Sequence, residues 1–501
     1  MQYSLPIPVR DTLHTLERAG FKAHIVGGSL RDLLIGRIPK DWDITTDAHP
    51  EAIQNLFPDS VYENSFGTVG VKVPRFLPTT PNDHEHDIIE VTTFRTETGY
   101  SDQRHPDAVD FVTSVEEDLA RRDFTVNALA GHVTDSAESS ATIDIIDPFN
   151  GQEDLDRKII RAVGEPKKRF AEDGLRLMRA IRLVTELSDP AKEVLDWSIE
   201  KETGQAIHDL SDNVSHVANE RIRDEFSRII ISPHPSQGVM LLLESGLLQH
   251  IVPELVEGVG VTQNLHHIYT VWEHNLRALA TCPSDDLAVR LATLLHDVGK
   301  PRTKRGEGLH STFYNHDHVG ARMTRVILER LRYPKKIVDH ASMLVDNHLF
   351  YYNVGEVTEA SVRRLIKRVG RENMDDLMAV RIGDRLGSGV PKAKPYKLRH
   401  LEYMVEKVSN DPTSVKMLKI NGAALMRELE LAPGPRIGAL LDCLLAEVID
   451  NPVNNTSEAL LDRARQLMDN DLDVLRSLAK ERIDEQRAEE DKAIRGHHHV
   501  S

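Results

Sequence analysis

The sequence predicts an α+β fold: a small α/β head followed by an elongated, all-helical neck, body and tail. Three observations predict it. Short β-rich runs alternate with helical runs over roughly the first hundred residues, the pattern turns mainly helical after Val115, and polar or proline-bearing breaks fall near Pro148, Asn264 and Pro391 to Pro395. The chain has 501 residues, room for about three to five domains. The expected divisions are a catalytic head at 1–147, a helical neck and body at 148–263, a second chemical domain at 264–400 and a helical tail at 401–501. No internal repeat of solenoid period is visible.

Residues 11–20 read as a short helix that stops at Gly20. F-K-A-H-I-V is a strand running into Gly27-Gly28, and Ser29 to Leu34 opens a helix whose N-terminus suits a phosphate. D-W-D-I-T-T is the next strand, and Gly67–Val73 with Ile88–Phe94 form a strand pair. The polar, proline-rich segment between that pair holds His84 and His86 and reads as an exposed loop rather than a metal site. D-P-F-N-G-Q-E-D-L after Asp147 is a turn before helices. The stretch Asp471 to Arg495 is a strongly charged helix, solvated or an assembly surface, and His497 to His499 read as a disordered run that binds metal only adventitiously.

Composition excludes several classes. No run approaches the ~18–20 apolar residues of a membrane span, and the N-terminal M-Q-Y-S-L-P-I-P-V-R lacks a charged-then-apolar leader pattern. Only Cys282 and Cys443 are present, so no disulfide framework is implied and a reduced, cytoplasmic protein is expected. The net charge of −17 argues against coating nucleic acid nonspecifically. A local basic enrichment at Arg121, Arg122, Lys158, Arg161, Lys167, Lys168, Arg169, Arg176, Arg179 and Arg182 surrounds the chemical motifs, and is read here as a phosphate-binding face rather than a solvated one.

The chemistry starts at V-G-G-S-L-R-D and K-D-W-D-I-T-T-D. If Asp41 to Ile44 is a strand, Asp41 and Asp43 point to one face and aim two carboxylates at one spot. Divalent-metal binding for nucleotidyl transfer requires that arrangement. Gly27 and Gly28 let a backbone approach a triphosphate without a Cβ in the way, and Arg31, one turn on, could fork a phosphate. Glu90 is either a third carboxylate from a neighbouring strand or an ordinary edge residue. Further on, Asp173, Arg176, Arg179 and Arg182 recur every three residues, which on a helix places successive members near one face with drift.

These motifs, with T-T-F-R, Y-S-D-Q-R-H-P, R-R-D-F-T-V-N-A and E-D-G-L-R in consistent order over roughly residues 20–230, resemble the class II tRNA nucleotidyltransferases, the family of CCA-adding enzymes and poly(A) polymerases. Each motif is weak by itself; their order makes the match specific. Asp41 and Asp43 would hold two Mg²⁺ ions for two-metal nucleotidyl transfer, and the resemblance implies phosphate contact by Arg122 and a ribose pocket shaped by Asp123 and Asn127. It implies that Asp173 and Arg176, with Arg179 and Arg182 on the same helix, replace a template. Asp173 accepts from the amino group shared by cytosine and adenine, and Arg176 donates to the adjacent ring acceptors. Such a paired contact is worth roughly 1–3 kcal/mol of discrimination. Arg95 to Asp110, with Tyr100, Arg104 and Pro106, resembles the family's mobile loop beside the site.

Downstream, E-H-N-L-R, L-L-H-D-V-G-K-P, Y-N-H-D-H-V-G-A, D-N-H-L and I-G-D-R supply His274, His296, Asp297, His316, His348 and Asp384. The set resembles the HD phosphohydrolase superfamily. Imidazoles with carboxylates suit Mn²⁺, Ni²⁺ or Fe²⁺, and Mg²⁺ more weakly, activating water on a phosphoester. His316 is preferred to His318 as a ligand, and Lys300 could contact a phosphate. L-K-I-N-G-A-A-L-M and L-A-P-G-P-R-I-G-A-L-L, within 415–470, are similar to a helical segment of some CCA-adding enzymes, with a turn at Gly434-Pro435.

The function these resemblances imply is addition of CCA to tRNA 3′ ends from CTP and ATP, with no membrane partner. A poly(A) polymerase, or an enzyme adding only A or only CC, is the near alternative; E-E-D-K-A-I-R-G, unlike a basic RNA-binding tail, favours tRNA. The distant alternative is an HD phosphohydrolase whose head no longer catalyses.

Overall fold

A computed structural model of the chain describes residues 2–62, 67–76, 86–98, 108–136, 141–264, 268–350, 357–389, 396–409, 415, 418–479, 491–492, 495 and 497–498. They fall into two compact units, Met1–Asp346 with Ala379–Gly389, and Asn347–Met378 with Val390–Ser501. Among the described residues no helix is long and apolar enough to cross a membrane.

The first unit opens on strand β1 (Gln2–Tyr3) and helix α1 (Ile7–Arg18), which buries Val9, Leu13 and Leu16 on one stripe and ends at Gly20, where φ is +89°. β2 (Ala23–Val26) leads directly into α2 (Gly27–Leu34), then β3 (Trp42–Thr46) and α3 (Pro50–Leu56). Strands β4 (Ser60–Tyr62), β5 (Thr68–Pro74) and β6 (His86–Thr93) follow. β7 (Arg95–Thr98) and β8 (Ala108–Phe111) pair with each other; the expected mobile segment is thus strand at both ends, while Tyr100, Arg104 and Pro106, like His84, lie outside the described residues. His86 begins β6 rather than lying in a loop.

After α4 (Val115–Ala120) come β9 (Ala130–Ser136) and β10 (Ala141–Ile146), two strands in a region expected to be mainly helical. They complete an eight-stranded sheet in the order β1-β10-β9-β2-β3-β6-β5-β4, in which only β3 and β6 run parallel. Packing decides these strands: Ala130 and Val133 are buried, and Ala130 sits in a core cluster with Val26, Phe94, Leu119 and Val163.

Asp147 then caps α5 (Gly151–Arg157), its carboxylate accepting from the amides of Gly151 and Gln152 at 2.7 and 2.9 Å, which makes the expected turn. A short parallel pair, β11 (Ile159–Ile160) with β12 (Ser198–Ile199), ties down the chain around α6 (Pro166–Glu172) and α7 (Leu175–Leu187). Next come α8 (Lys201–Asp209), α9 (Asn219–Ile230), α10 (Pro235–Glu244), α11 (Leu248–Ile251) and α12 (Pro253–Val256), with α7 packed on α9 and α10.

α13 (Val271–Ala280) starts at a capping box between Thr270 and Glu273, close to the break expected near Asn264. α14 (Leu287–Leu295), α15 (Lys300–Thr303), α16 (His316–Arg330) and α17 (Lys335–Asn347) follow.

The second unit includes α18 (Glu359–Val369), while α19 (Met374–Gly387) runs from it into the first unit. Its remaining helices are α20 (Tyr396–Ser409), α21 (Gly422–Glu428), α22 (Pro435–Asp450) and α23 (Ser457–Leu467), with Leu425, Leu440, Leu444, Leu460 and Leu475 in one apolar core. Gly434 precedes α22, as the expected turn requires. The break at Pro391 to Pro395 lies outside the described residues, as do 480–490 of the charged stretch, whose residues 472–479 are helical.

Candidate active site and second metal-type centre

The junction of β2 with α2 forms one wall of a cavity of about 370 Å³ lined by Gly27, Gly28, Asp43, Glu90, Arg122 and Asp123, among others. Gly27 has φ +68°, and a Cβ there would lie 3.1 Å from both Arg122 Nη1 and Asp43 Oδ2, so backbone shape and close approach both demand glycine. β3 begins at Trp42. Asp41 is therefore not a strand residue as expected, but an exposed bend one residue earlier. The parallel register sets Asp43 opposite Glu90, which places Glu90 beside the aspartate. Burial, then the charges of Glu90 and Asp41, push the Asp43 carboxyl up to about 7, with Arg122 and Arg31 opposing. Converging hard-oxygen donors whose mutual repulsion a cation would relieve fit a divalent ion such as Mg²⁺.

Asp123 shows the reverse. Its Oδ1 accepts from Asn127 Nδ2 at 3.1 Å and the Phe124 amide at 2.9 Å, and its Oδ2 faces Arg179 at 3.0 Å. Burial pushes its pKa up, but Arg179, Asn127 and Arg176 outweigh that and hold it at about 2. Arg31 is engaged by Asp32 and by Asn127 Oδ1 at 2.8 Å, and does not line the cavity. Arg95 and Arg121 line it too; the sequence offered Arg121 only within the basic enrichment and Arg95 only as the start of the segment beside the site.

The spacing of three from Asp173 to Arg182 does not lie on one helix. α6 ends at Glu172, Asp173 adopts extended backbone, and α7 starts at Leu175 with Asp173 Oδ1 accepting from its amide at 3.0 Å. A Cβ on Gly174 would come within 2.7 Å of Asn213 O, so the glycine marks the break. Arg176 and Arg179 line the cavity, but Arg182 is buried against Glu225 at 2.5 Å and Glu186 at 2.7 Å and leaves the expected set. Each three-residue step turns the direction by about −60°, so Arg182 faces away.

Asp173 is gripped by both guanidinium nitrogens of Arg221 on α9, at 3.2 and 2.7 Å. Arg176 pairs with Glu172 and donates to Arg169 O at 2.9 Å. The far end of α7 is held by Arg37, which donates to the carbonyls of Glu186 and Leu187 at 2.8 and 2.7 Å. All ten basic residues of the local enrichment have a carboxylate partner, so the enrichment is not a bare basic face.

A second cluster gathers the downstream motifs. His274 Nε2 lies 2.9 Å from His296 Nε2, 3.3 Å from Asp297 Oδ2 and 3.2 Å from Asp384 Oδ1. His316 Nε2 is 3.2 Å from Asp297 Oδ1. All are buried. His296 and His316 each give their Nδ1–H to a backbone carbonyl, Thr293 and Phe313, at 2.7 Å, which turns Nε2 toward the carboxylates as a metal ligand requires. His274, His296 and Asp297 form a set whose ligand atoms could hold one ion. Burial lowers the His296 pKa, but Asp297 more than restores it and raises it; Asp297 itself is held well down by Lys300 and His296 despite burial. Lys300 is buried on Asp297 at 2.5 Å and Gln263 at 2.6 Å, not displayed for a phosphate. His318 is exposed and paired with Asp346, consistent with the preference for His316. His348 is buried just past α17 and belongs to the second unit.

Residues 23–161 match the Poly A polymerase head domain, 196–258 the RNA and SrmB-binding site of polymerase A, 264–386 the HD domain and 393–464 tRNA nucleotidyltransferase domain 2. A CCA-adding enzyme of Lactobacillus helveticus is 43% identical over 49% of this chain, and the chain spans 55% of that enzyme. An A-adding tRNA nucleotidyltransferase of Deinococcus radiodurans is 34% identical, with 84% of this chain and 90% of that protein aligned. The crystal structure of the Bacillus stearothermophilus CCA-adding enzyme in complex with CTP superposes with a TM-score of 0.57 at 28% identity, covering 93% of this chain and 100% of that one.

Proposed function

The chain belongs to the tRNA nucleotidyltransferase and poly(A) polymerase family, and from that premise we propose that it adds the terminal CCA to tRNA 3′ ends, using CTP and ATP. The observation that carries the reading is the cavity itself: Asp43 lies beside Glu90 on neighbouring strands, next to Gly27 and Gly28, and Arg95, Arg121, Arg122, Arg176 and Arg179 line the same cavity. Asp41 and Asp43 would hold Mg²⁺. Two such ions held there would supply a lowered pKa at the attacking ribose hydroxyl and neutralisation of the departing pyrophosphate, one effect each.

The chain's own groups do the rest. Gly27 and Gly28 admit the triphosphate backbone-close, and Arg122 binds its phosphates. Asp123, kept ionised, accepts from a ribose hydroxyl while Asn127 and Arg179 fix its orientation. Asp173 and Arg176 read the base edge once they exchange Arg221 and Glu172 for it. The HD centre, His274, His296, Asp297, His316, His348 and Asp384, would hold a transition metal such as Mn²⁺, Ni²⁺ or Fe²⁺ and hydrolyse phosphoesters near an RNA end, such as a 2′,3′-cyclic phosphate. The proposed division is head 1–147, neck and body 148–263, HD domain 264–400 and tail 401–501. The place of action is the cytoplasm, where free thiols such as Cys282 and Cys443 persist.

A second reading, addition of A alone, is favoured by the A-adding relative. One assay separates them. tRNA lacking its 3′ end is incubated with CTP, with ATP, and with both. CCA addition gives CC with CTP alone and a full end with both. A-only addition gives nothing with CTP and extends only tRNA already ending in CC. Extension of unrelated RNA into a long A tail would refute both.

A further inference from the structure

α20 carries Glu402 and Glu406 one turn apart. His498 Nε2 lies 2.6 Å from Glu406 Oε2, and His497 Nδ1 lies 3.4 Å from the same oxygen. His498 Nδ1 is 3.9 Å from Glu402. One ligand atom each from Glu406, His497 and His498 thus fall within 4.8 Å of one another. The site lies partly recessed: the side chains of His498, Glu402 and Glu406 are 15%, 18% and 28% exposed, while His497 is 72% exposed. It opens on a cavity of about 340 Å³ in the second unit.

The histidines are brought there by contacts that do not use them. Asp491 accepts from the Tyr403 hydroxyl and pairs with Lys407 at 2.8 Å and Arg495 at 2.6 Å, and the Arg495 guanidinium lies 5.4 Å from the Tyr403 ring centroid. The expectation of a disordered histidine run therefore fails at His497 and His498; His499 lies outside the described residues.

Two imidazoles and a carboxylate, with a second carboxylate adjoining, are the donor set of a borderline transition-metal ion, tetrahedral Zn²⁺ above all. We propose that Glu406, His497 and His498, with Glu402 adjoining, form a Zn²⁺ site that fastens His497 and His498 to α20. It shares no ligand with the head cavity or with the HD centre. A bare histidine run would bind the same ion without the glutamates; a built site needs them.

The test uses the full-length chain, stripped of metal and dialysed against micromolar Zn²⁺, with bound zinc counted per chain by elemental analysis. E402Q/E406Q and H497Q/H498Q are compared with the unaltered protein; all three keep the head and HD ligands, so differences report this site alone. Both variants should lose one equivalent of zinc. In the unaltered protein only, zinc should slow tryptic cleavage at Arg495. Metal-free thermal unfolding at the same temperature in all three shows the variants are folded, which makes the zinc difference interpretable. Equal zinc binding by E402Q/E406Q and the unaltered chain would overturn the proposal, as would zinc binding that leaves cleavage at Arg495 unchanged.

Discussion

Two aspartates of one cavity titrate at opposite ends of the carboxylate range, Asp43 at about 7 and Asp123 at about 2. The first is crowded by Glu90 and Asp41, whereas the second is satisfied by Arg179 and Asn127, so their substitutions should differ in kind. Asp43→Ala should cut nucleotide incorporation in Mg²⁺ by at least about 10²-fold while circular dichroism and melting temperature stay near those of the unaltered protein; a near-normal rate would exclude it as a metal ligand. Arg221→Ala, which removes both guanidinium bonds to Asp173, should erode selectivity more than rate. Incorporation of UTP and GTP relative to CTP and ATP should rise by roughly tenfold, the scale of one paired base contact. His24 supplies the pH dependence. Burial, then His132 and Lys22, lower its pKa to about 4 from the usual 6.5. A base with a depressed folded-state pKa contributes stability above its unfolded value and loses it as pH falls, here from about 6.5 through 4. Thermal melts at pH 7 and pH 4 should differ by less in His24→Phe than in the unaltered chain, by on the order of 3 kcal/mol.

Among elements, close approach without a side chain recurs. A Cβ on Gly299 would lie 2.3 Å from His316 O and 2.6 Å from the Gly320 amide, so α15 and α16 meet backbone to backbone directly beside the HD cluster. Gly299→Ala should destabilise the fold by about 1–3 kcal/mol through overpacking and lower HD metal content, read by a thermal melt and elemental analysis. What the sequence made legible follows from local signals. β2, β3 and β6 were readable from apolar runs beside Gly-Gly and the aspartates, and α13 has its capping box written in T-V-W-E. β9 was not, because A-G-H-V-T-D-S is poor in large apolar residues and owes its strand to burial against Val26 and Phe94. The break at Asp173-Gly174 was hidden between two strongly helical stretches. Arg221 and Glu225 were invisible because their partners, Asp173 and Arg182, lie 48 and 43 residues away. Local pattern finds motifs; it does not find which charge a motif residue spends on its own protein.

At the scale of the molecule, the head cavity and the histidine–aspartate cluster of α13 to α16 occupy one compact unit yet share no ligand. His296→Ala should therefore abolish metal-dependent hydrolysis of cyclic or terminal phosphates, assayed with Mn²⁺, Ni²⁺ or Mg²⁺, and leave nucleotide addition nearly unchanged; a parallel loss of addition would mean that the two centres are coupled. The net charge of −17 is carried by a body whose arginines near the motifs are largely spent on internal carboxylates. α7 is fastened at both extremities, by Arg221 from α9 through Asp173 and by Arg37 from the head through the carbonyls of Glu186 and Leu187. Both ends of the helix are thus tied by arginines from elsewhere in the chain. If, as proposed, a base takes Asp173 from Arg221, it would undo the tie at one end of α7 while the carbonyls of Glu186 and Leu187 stay held by Arg37 at the other.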